Sequence, residues 1–165
     1  MESRQSDRPA PPRSGPTYSS YLQLDDLLAC QKPLSGAHDE LLFIIIHQAS
    51  ELWIKLCLHE LEAARRALME ERLPAVFKMM ARVARVQQQL IQSWETLATI
   101  TPADYTAMRD RLGGSSGFQS VQYRLLEFMM GNKNAGMLAA HEGSPEAQAV
   151  LAAALERTSL YDEAL

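Results

Sequence analysis

The sequence predicts an all-α fold, a bundle of long antiparallel helices, and three observations support this prediction. Beyond residue 17 the chain is dominated by Leu, Ala, Met, Glu, Gln and Arg, which favour helices. It contains no alternating run of β-branched residues and no Asn-Gly hairpin signal. In the two longest segments apolar residues recur at three- and four-residue spacing, which is the pattern of an amphipathic helix.

The N-terminal segment differs from the rest of the chain in composition. Residues 1–17 hold four of the eight prolines and show no apolar periodicity. Such a segment cannot bury enough apolar surface to offset the entropy of ordering it. We therefore expect a tail at 1–17 and one helical domain at 18–165. Because Pro33 stops a helix, the first helix is predicted at about 22–31.

Two long helices are expected next, at about 38–71 and 74–99, and they should form an antiparallel pair. An advance of 100° per residue predicts that one face of the first helix lies in the core. That face comprises Leu41, Leu42, Ile45, Ala49, Leu52, Trp53 and Leu56. Near the opposite side Phe43, His47, Ile54 and Leu58 form a second stripe with Ser50 and Glu51. The start of this helix is therefore apolar almost all round, which is typical of a helix that is buried or faces a ligand or another subunit.

The remaining helices are predicted from their start and stop signals. Thr101 followed by proline opens a helix that ends at about 112, before the glycine-rich segment 113–117. A further helix is expected at about 118–130, and Ser144 caps one that ends at about 157. Residues 159–165 show no closing feature.

Charge and composition exclude several classes of function. The 16 Lys and Arg against 20 Asp and Glu give a net charge of −4, so nucleic acid is not an expected partner. The longest apolar run, 41–46, is far shorter than the roughly 20 residues that cross a bilayer, and we expect a cytoplasmic protein without a membrane partner. Two cysteines are too few for a disulfide framework or a structural zinc site. No metal-binding motif is present, and no metal ligand is predicted.

Two small groups of residues are candidates for a functional site. His47 is the only imidazole in the apolar surround of the long helix, where it could be a satisfied core histidine or an acid, base or hydrogen-bond partner in a pocket. Tyr105 and Arg109 share a helix face, and the planar guanidinium of arginine can hold a carboxylate with two hydrogen bonds. The alternative is that this pair is ordinary surface. The GGSSG segment at 113–117 could aim backbone N–H groups at an anion or form a plain turn.

Four longer motifs resemble one known family. They are YSSYLQLDDLL at 18–28, HDELLFIIIHQASELW at 38–53, SSGFQSVQYR at 115–124 and GNKN at 131–134. Together they closely resemble the tryptophan 2,3-dioxygenases, and the resemblance covers 18–165. It implies an all-α, tetrameric, haem b-dependent enzyme that inserts both atoms of O2 across the indole 2,3 bond of L-tryptophan to give N-formylkynurenine.

The resemblance also implies roles for individual residues. The stretch Phe43, Ile44, Ile45, Ile46 and His47 would form one wall of the substrate pocket. In it, His47 would be the distal, catalytic histidine beside the indole N–H, and Phe43 would lie against the ring. Tyr105 and Arg109 would bind the substrate carboxylate, and Ser116 would belong to the loop over the haem pocket. The N-terminal residues Tyr18, Tyr21 and Leu22 would complete the pocket of a neighbouring subunit, which implies a homo-oligomer.

The sequence departs from the family pattern in two respects. Ile46 stands where family members often carry glutamine. Family members also continue into a further helical portion that carries the proximal histidine ligand of the iron, and no histidine of this sequence matches that motif. The second hypothesis from the sequence is therefore an inactive helical assembly module that lacks the haem ligand.

Overall fold

The computed structural model describes residues 15–115 and 117–165, and this part of the chain is mostly helical, without strands. The predicted all-α class is confirmed. The described residues up to Lys32 form one compact unit and Pro33–Leu165 form another. Most of the predicted tail, residues 1–14, lies outside the described residues, and so does Ser116.

The first unit contains two short helices instead of the single helix predicted at 22–31. They are α1 at Tyr18–Leu22 and α2 at Leu24–Ala29. Thr17 starts α1 with a reciprocal capping box to Ser20. Gln23 adopts the left-handed conformation with φ of +52°, so the chain turns there instead of continuing as one helix.

The second unit is built on the predicted pair of long helices. They are α3 at Glu40–Met69 and α4 at Leu73–Leu97, joined by a tight turn in which Glu71 has φ of +56°. A connection this short makes the two helices antiparallel neighbours. Both helices contribute buried apolar residues to the core. These are Ile54, Cys57, Leu61, Ala64, Ala67, Val76, Val83 and Val86.

The prediction of which face of α3 forms the core is wrong. Leu41, Ile45, Leu52 and Trp53 on the predicted face are all exposed within this chain, and Leu52 retains 52% of its accessible surface. The buried stripe begins instead at Ile54 and includes small side chains, which allow α4 to approach closely. Because both faces of α3 are apolar, the periodicity could not decide which of them would meet α4.

The rest of the chain adds four helices and two short 3-10 segments around α3. The helices are α5 at Pro102–Leu112, α6 at Val121–Met129, α7 at Pro145–Glu156 and α8 at Leu160–Ala164, and the 3-10 segments are Gly117–Gln119 and Ala135–His141. Thr101, Ser120 and Ser144 cap α5, α6 and α7, each with its hydroxyl accepting a backbone N–H of the first turn. The predicted caps at Thr101 and Ser144 are confirmed, whereas α6 begins three residues later than expected.

Residues 159–165 form a capped helix that packs on the core, where the sequence predicted no closing feature. Ser159 and Asp162 form a capping box that starts α8, and Leu160 is buried in the main core cluster. Arg65 of α3 donates from Nε to both carboxylate oxygens of Glu163, at 2.7 and 2.9 Å. Although burial raises the pKa of Glu163, the Thr158 hydroxyl and Arg65 together hold it below its ordinary value.

By length and composition alone, α3 could cross a membrane, but the core helix of a soluble protein meets the same criterion. Its second half packs against α4, α6 and α8, and Leu61 and Ala64 there are fully buried. This packing makes α3 the central helix of the second unit.

A buried carboxylate holds the chain that enters α3. Glu40 is 1% exposed, and it accepts the backbone N–H groups of Leu34 and Ser35, each at 2.6 Å, and the Ser35 hydroxyl at 2.5 Å. These hydrogen bonds, led by that from Leu34, favour the ionised form and lower the pKa of Glu40 below 4.5. The contact fixes residues 34–39 against the first turn of α3.

We expect Leu61→Ala to destabilise the protein by about 2–5 kcal/mol, because it opens a cavity in the main core cluster. Lys55→Ala, at an exposed position of the same helix, is the control and should change stability by less than about 0.5 kcal/mol. Urea unfolding followed by circular dichroism measures both. Equal effects of the two substitutions would contradict the assignment of the buried face.

We expect Glu40→Gln to lower the midpoint of urea unfolding at neutral pH, because an amide replaces a carboxylate that accepts three hydrogen bonds. The folded-state pKa is depressed, so the stabilisation is fully present above the ordinary value of 4.5 and is lost as the pH falls through the folded-state pKa. The difference between wild type and Glu40→Gln should therefore shrink in acid. Exposed Glu95→Gln on α4 should show no such pH-dependent difference.

Candidate functional site

The imidazole of His47 is held by its own helix. His47 Nδ1 lies 2.7 Å from the backbone oxygen of Phe43, one turn earlier on α3. A carbonyl oxygen only accepts, so Nδ1 carries the proton in this hydrogen bond. In the neutral ring Nε2 is then left with a lone pair. The side chain is thus oriented as an acceptor for an N–H group of a ligand.

Three aromatic rings gather at this point. The rings of Phe43 and His47 have centroids 4.1 Å apart, and the ring of Tyr105 on α5 lies 6.4 Å from that of Phe43. Phe43 and His47 are half-buried, and Tyr105 is 40% exposed. The second stripe of α3 therefore faces neighbouring aromatic groups, and a planar ligand could pack against Phe43 while contacting His47.

Two open cavities meet at His47. One of about 320 Å³ lies between α3 and the chain before α6, and the other, of about 110 Å³, extends toward α4. His47, Glu51, Gly117 and Ser120 line both. The larger is also lined by Phe43, Ser115 and Gln119, and the smaller by Ile46, Ser50, Ile54, Trp94, Leu97 and Tyr123. Both cavities are thus mainly apolar, and the smaller one has more aromatic side chains in its lining.

Arg109 is placed by the end of α5. The capping box at Thr101 and Asp104 sets the start of this helix, so Tyr105 and Arg109 lie one turn apart, as predicted. The exposed guanidinium of Arg109 donates from one Nη to the backbone oxygen of Gly113 at 2.6 Å. A guanidinium has five N–H donors, so this bond orients the group and leaves others for an anion.

The other residues proposed from the sequence fall into three places. Ile44 is half-buried and Ile45 is exposed, whereas Ile46 lines the smaller cavity. Tyr18, Tyr21 and Leu22 belong to the first unit, where the two tyrosines are 78% and 74% exposed. Ser116 lies outside the described residues, although its neighbours Ser115 and Gly117 line the larger cavity.

Sequence reasoning missed a polar link beside His47. Gln122 of α6 donates from Nε2 to both the backbone oxygen and the carboxylate of Glu51 on α3, at 3.1 and 2.7 Å. The position of Glu51 four residues after His47 was visible in the sequence, because it places the two side chains on one helix face. Its partner was not, because the two residues are 71 positions apart.

Titratable groups near the site do not converge into a metal centre. Among residues 15–115 and 117–165, no group of three His, Cys, Asp or Glu side chains could hold a metal ion. Cys57 is completely buried beneath α4, and this burial, with the nearby charge of Glu60, raises the pKa of its thiol. Cys30 is exposed, so the two cysteines differ in environment.

The sequence is similar to those of known proteins over most of its length. The sequence model described as tryptophan 2,3-dioxygenase matches residues 2–159. Proteins named tryptophan 2,3-dioxygenase from Erythrobacter litoralis, Polaromonas sp. strain JS666 and Bacillus cereus are 62%, 58% and 56% identical over 149 residues. These alignments cover 90% of this chain but 57%, 51% and 53% of the relatives. The chain thus spans about half the length of the curated relatives it matches. It belongs to the tryptophan 2,3-dioxygenase family.

Proposed function

We propose that this chain supplies the distal half of the active site of a haem-dependent tryptophan 2,3-dioxygenase, which oxidises L-tryptophan with O2 to N-formylkynurenine. The observation that carries the proposal is the arrangement of Phe43, His47 and Tyr105 in a chain of this family. It presents an aromatic surface and a hydrogen-bond acceptor side by side, which is what an indole ring with its N–H requires.

Different site residues would bind the ring and the carboxylate of the substrate. Nε2 of His47 would accept the indole N–H, while Nδ1 stays engaged with the Phe43 carbonyl. Phe43 would pack against the indole ring. Tyr105 and Arg109 would bind the substrate carboxylate, for which the guanidinium provides a fixed counter-charge. The substrate would thus be fixed at its ring and at its carboxylate.

The residues around His47 fit one face of haem b. The apolar and aromatic lining of the smaller cavity, which includes Ile46, Trp94 and Tyr123, suits contact with a macrocycle. We assign this lining, together with Ser116, to the distal side of the haem pocket. When bound, the haem supplies the redox chemistry with O2. The protein side of the reaction is then orientation of the indole, exclusion of water and the hydrogen bond from the indole N–H to His47.

The family resemblance and the exposure of the first unit support an oligomer. Tyr18 and Tyr21 are large aromatic residues with most of their surface free. We propose that they and Leu22 complete the pocket of a neighbouring subunit in a homotetramer, as the family resemblance implies. The acidic composition, with a pI of about 5.6, disfavours a nucleic-acid partner. We expect the enzyme to be cytoplasmic.

A chimera tests the activity. In it, this chain replaces the matching segment of the Erythrobacter litoralis relative, to which it is 62% identical. We expect the chimera to show a Soret band with ferrous haem and to form N-formylkynurenine from L-tryptophan and O2, both followed by absorbance. His47→Ala should sharply lower the turnover. A folded, haem-loaded chimera that forms no product would overturn the proposal, and turnover by the 165-residue chain itself would exclude the assembly-module hypothesis.

Substitution of Arg109 tests the carboxylate assignment. In the chimera, Arg109→Ala should raise KM for L-tryptophan about 10- to 100-fold, because charge-assisted hydrogen bonds contribute about 1.5–3 kcal/mol. Arg109→Lys keeps the charge without the planar fork, so an intermediate KM is expected. The exposed neighbour Arg111 is the control, and Arg111→Ala should leave KM within about twofold. An unchanged KM in Arg109→Ala would defeat the assignment.

A further inference from the structure

Helix α4 has a second apolar stripe beside the face that it buries against α3. The positions of this stripe alternate steps of four and three residues, which is the repeat with which one helix packs along another. Its apolar members are Leu73, Phe77, Met80, Ala84, Ile91 and Trp94, and Gln87 is polar. Within the part of the chain that the structure describes, Phe77, Ile91 and Trp94 are 68%, 65% and 64% exposed. A continuous exposed stripe of large apolar side chains is typical of an interaction surface.

The stripe forms one wall of a long groove. Two open cavities, of about 380 and 470 Å³, lie along α4, and Met130 lines both of them. Opposite the start of α4, the other wall is formed by Tyr161 of α8, and opposite its end by Tyr123 of α6. We call the two cavities together the α4 groove. It extends from Leu73 to Trp94, which at 1.5 Å per residue is about 30 Å.

The shape of the α4 groove specifies what kind of segment fits it. Its walls are mainly apolar, and its length corresponds to about 20 residues of helix. The four- and three-residue steps of the stripe match the ridges of a second helix lying along α4. An amphipathic helix could therefore lay its apolar face in the groove and keep its polar face in water.

A second copy of this chain does not fit the groove well. A symmetric interface between two copies must be complementary to itself. The α4 groove is concave, so two copies that faced each other through it would leave the space between them unfilled.

The relatives contain another source of such a helix. The aligned segments make up 57%, 51% and 53% of the relatives from Erythrobacter litoralis, Polaromonas sp. strain JS666 and Bacillus cereus. About half of each relative therefore has no counterpart in this chain. That half is long enough to supply a helix of the required length.

We propose that the α4 groove is the docking site for an amphipathic helix from the part of a tryptophan 2,3-dioxygenase that this chain does not match. The docked helix packs between α4 on one side and α6 and α8 on the other, and it buries Phe77, Ile91 and Trp94. Because Trp94 also lines the smaller cavity at His47, the helix reaches the edge of the candidate site. This inference rests on membership of the family and not on the proposed reaction.

The first test measures coverage of the groove by thiol labelling. In a Cys30→Ser background, Phe77→Cys and Ile91→Cys should react with N-ethylmaleimide at least about tenfold more slowly in the chimera than in the 165-residue chain. Gln89→Cys, at an exposed position on the side of α4 away from the stripe, is the control and should react equally fast in both. Mass spectrometry of the labelled peptides gives the rate at each position.

Two results of the labelling would contradict the proposal. One is equal rates in the two proteins at position 77 or 91, since a single helix along the groove covers both. The other is protection that grows with the concentration of the 165-residue chain, since this identifies a second copy as the occupant. If the chimera does not fold, the unmatched part of the Erythrobacter litoralis relative is co-expressed with the 165-residue chain as a separate polypeptide, and the same results decide.

The second test compares stability with and without the docked helix. Ile91→Glu should leave the midpoint of thermal unfolding of the 165-residue chain within about 2 °C, because the side chain is exposed there. In the chimera it should lower the midpoint by about 5 °C or more, because the charge would lie beneath the docked helix. Gln89→Glu introduces the same charge outside the groove and should have little effect in either protein. An equal effect of Ile91→Glu in both proteins overturns the proposal. A folded chimera that protects positions 77 and 91 but forms no product would refute the proposed function and support this inference.

Discussion

The second unit depends on α3, whose first turns are apolar almost all round and whose second half carries the core. Its second half buries Ile54, Leu61 and Ala64 against α4, α6 and α8, and this packing fixes the helix in the centre of the unit. Its first half carries Phe43 and His47 toward α5 and the segment before α6. One continuous helix therefore joins the core to the site.

The polar contacts around α3 determine where the surrounding segments lie. Glu40 holds the chain entering the helix, Gln122 holds α6 beside Glu51, and Glu163 brings α8 to Arg65. Lys133 adds a fourth contact, since its ammonium group donates to the backbone oxygens of Leu155 and Arg157 at the end of α7. Each contact adds a specific polar link to the packing of the apolar core. Short helices with modest apolar faces can be held in this way around one long helix.

Much of the fold could be predicted from local signals, and the failures have identifiable physical causes. Caps such as Thr101 and Ser144 act within one helical turn, so the sequence locates those helices. The chain turns between α1 and α2 because Gln23 adopts the left-handed conformation. Glycine usually marks such a turn in a sequence, and no glycine is present at this position. Helix α8 is only five residues long, and its Glu163 is bound by Arg65, 98 positions away. In the site, the ring contact of Phe43 with His47 follows from helical spacing. The bond from Arg109 to Gly113 and the link from Gln122 to Glu51 depend on side-chain rotamers and tertiary packing.

The hydrogen bond between His47 and Phe43 runs to a backbone oxygen and stays within one helix. The side chain at position 43 therefore does not determine which imidazole nitrogen is protonated. No other helix takes part in this hydrogen bond. The hydrogen bond requires only that this turn of α3 is helical and that the imidazole keeps this rotamer. Evolution could reshape the aromatic wall through position 43 while the acceptor nitrogen of the imidazole stays the same.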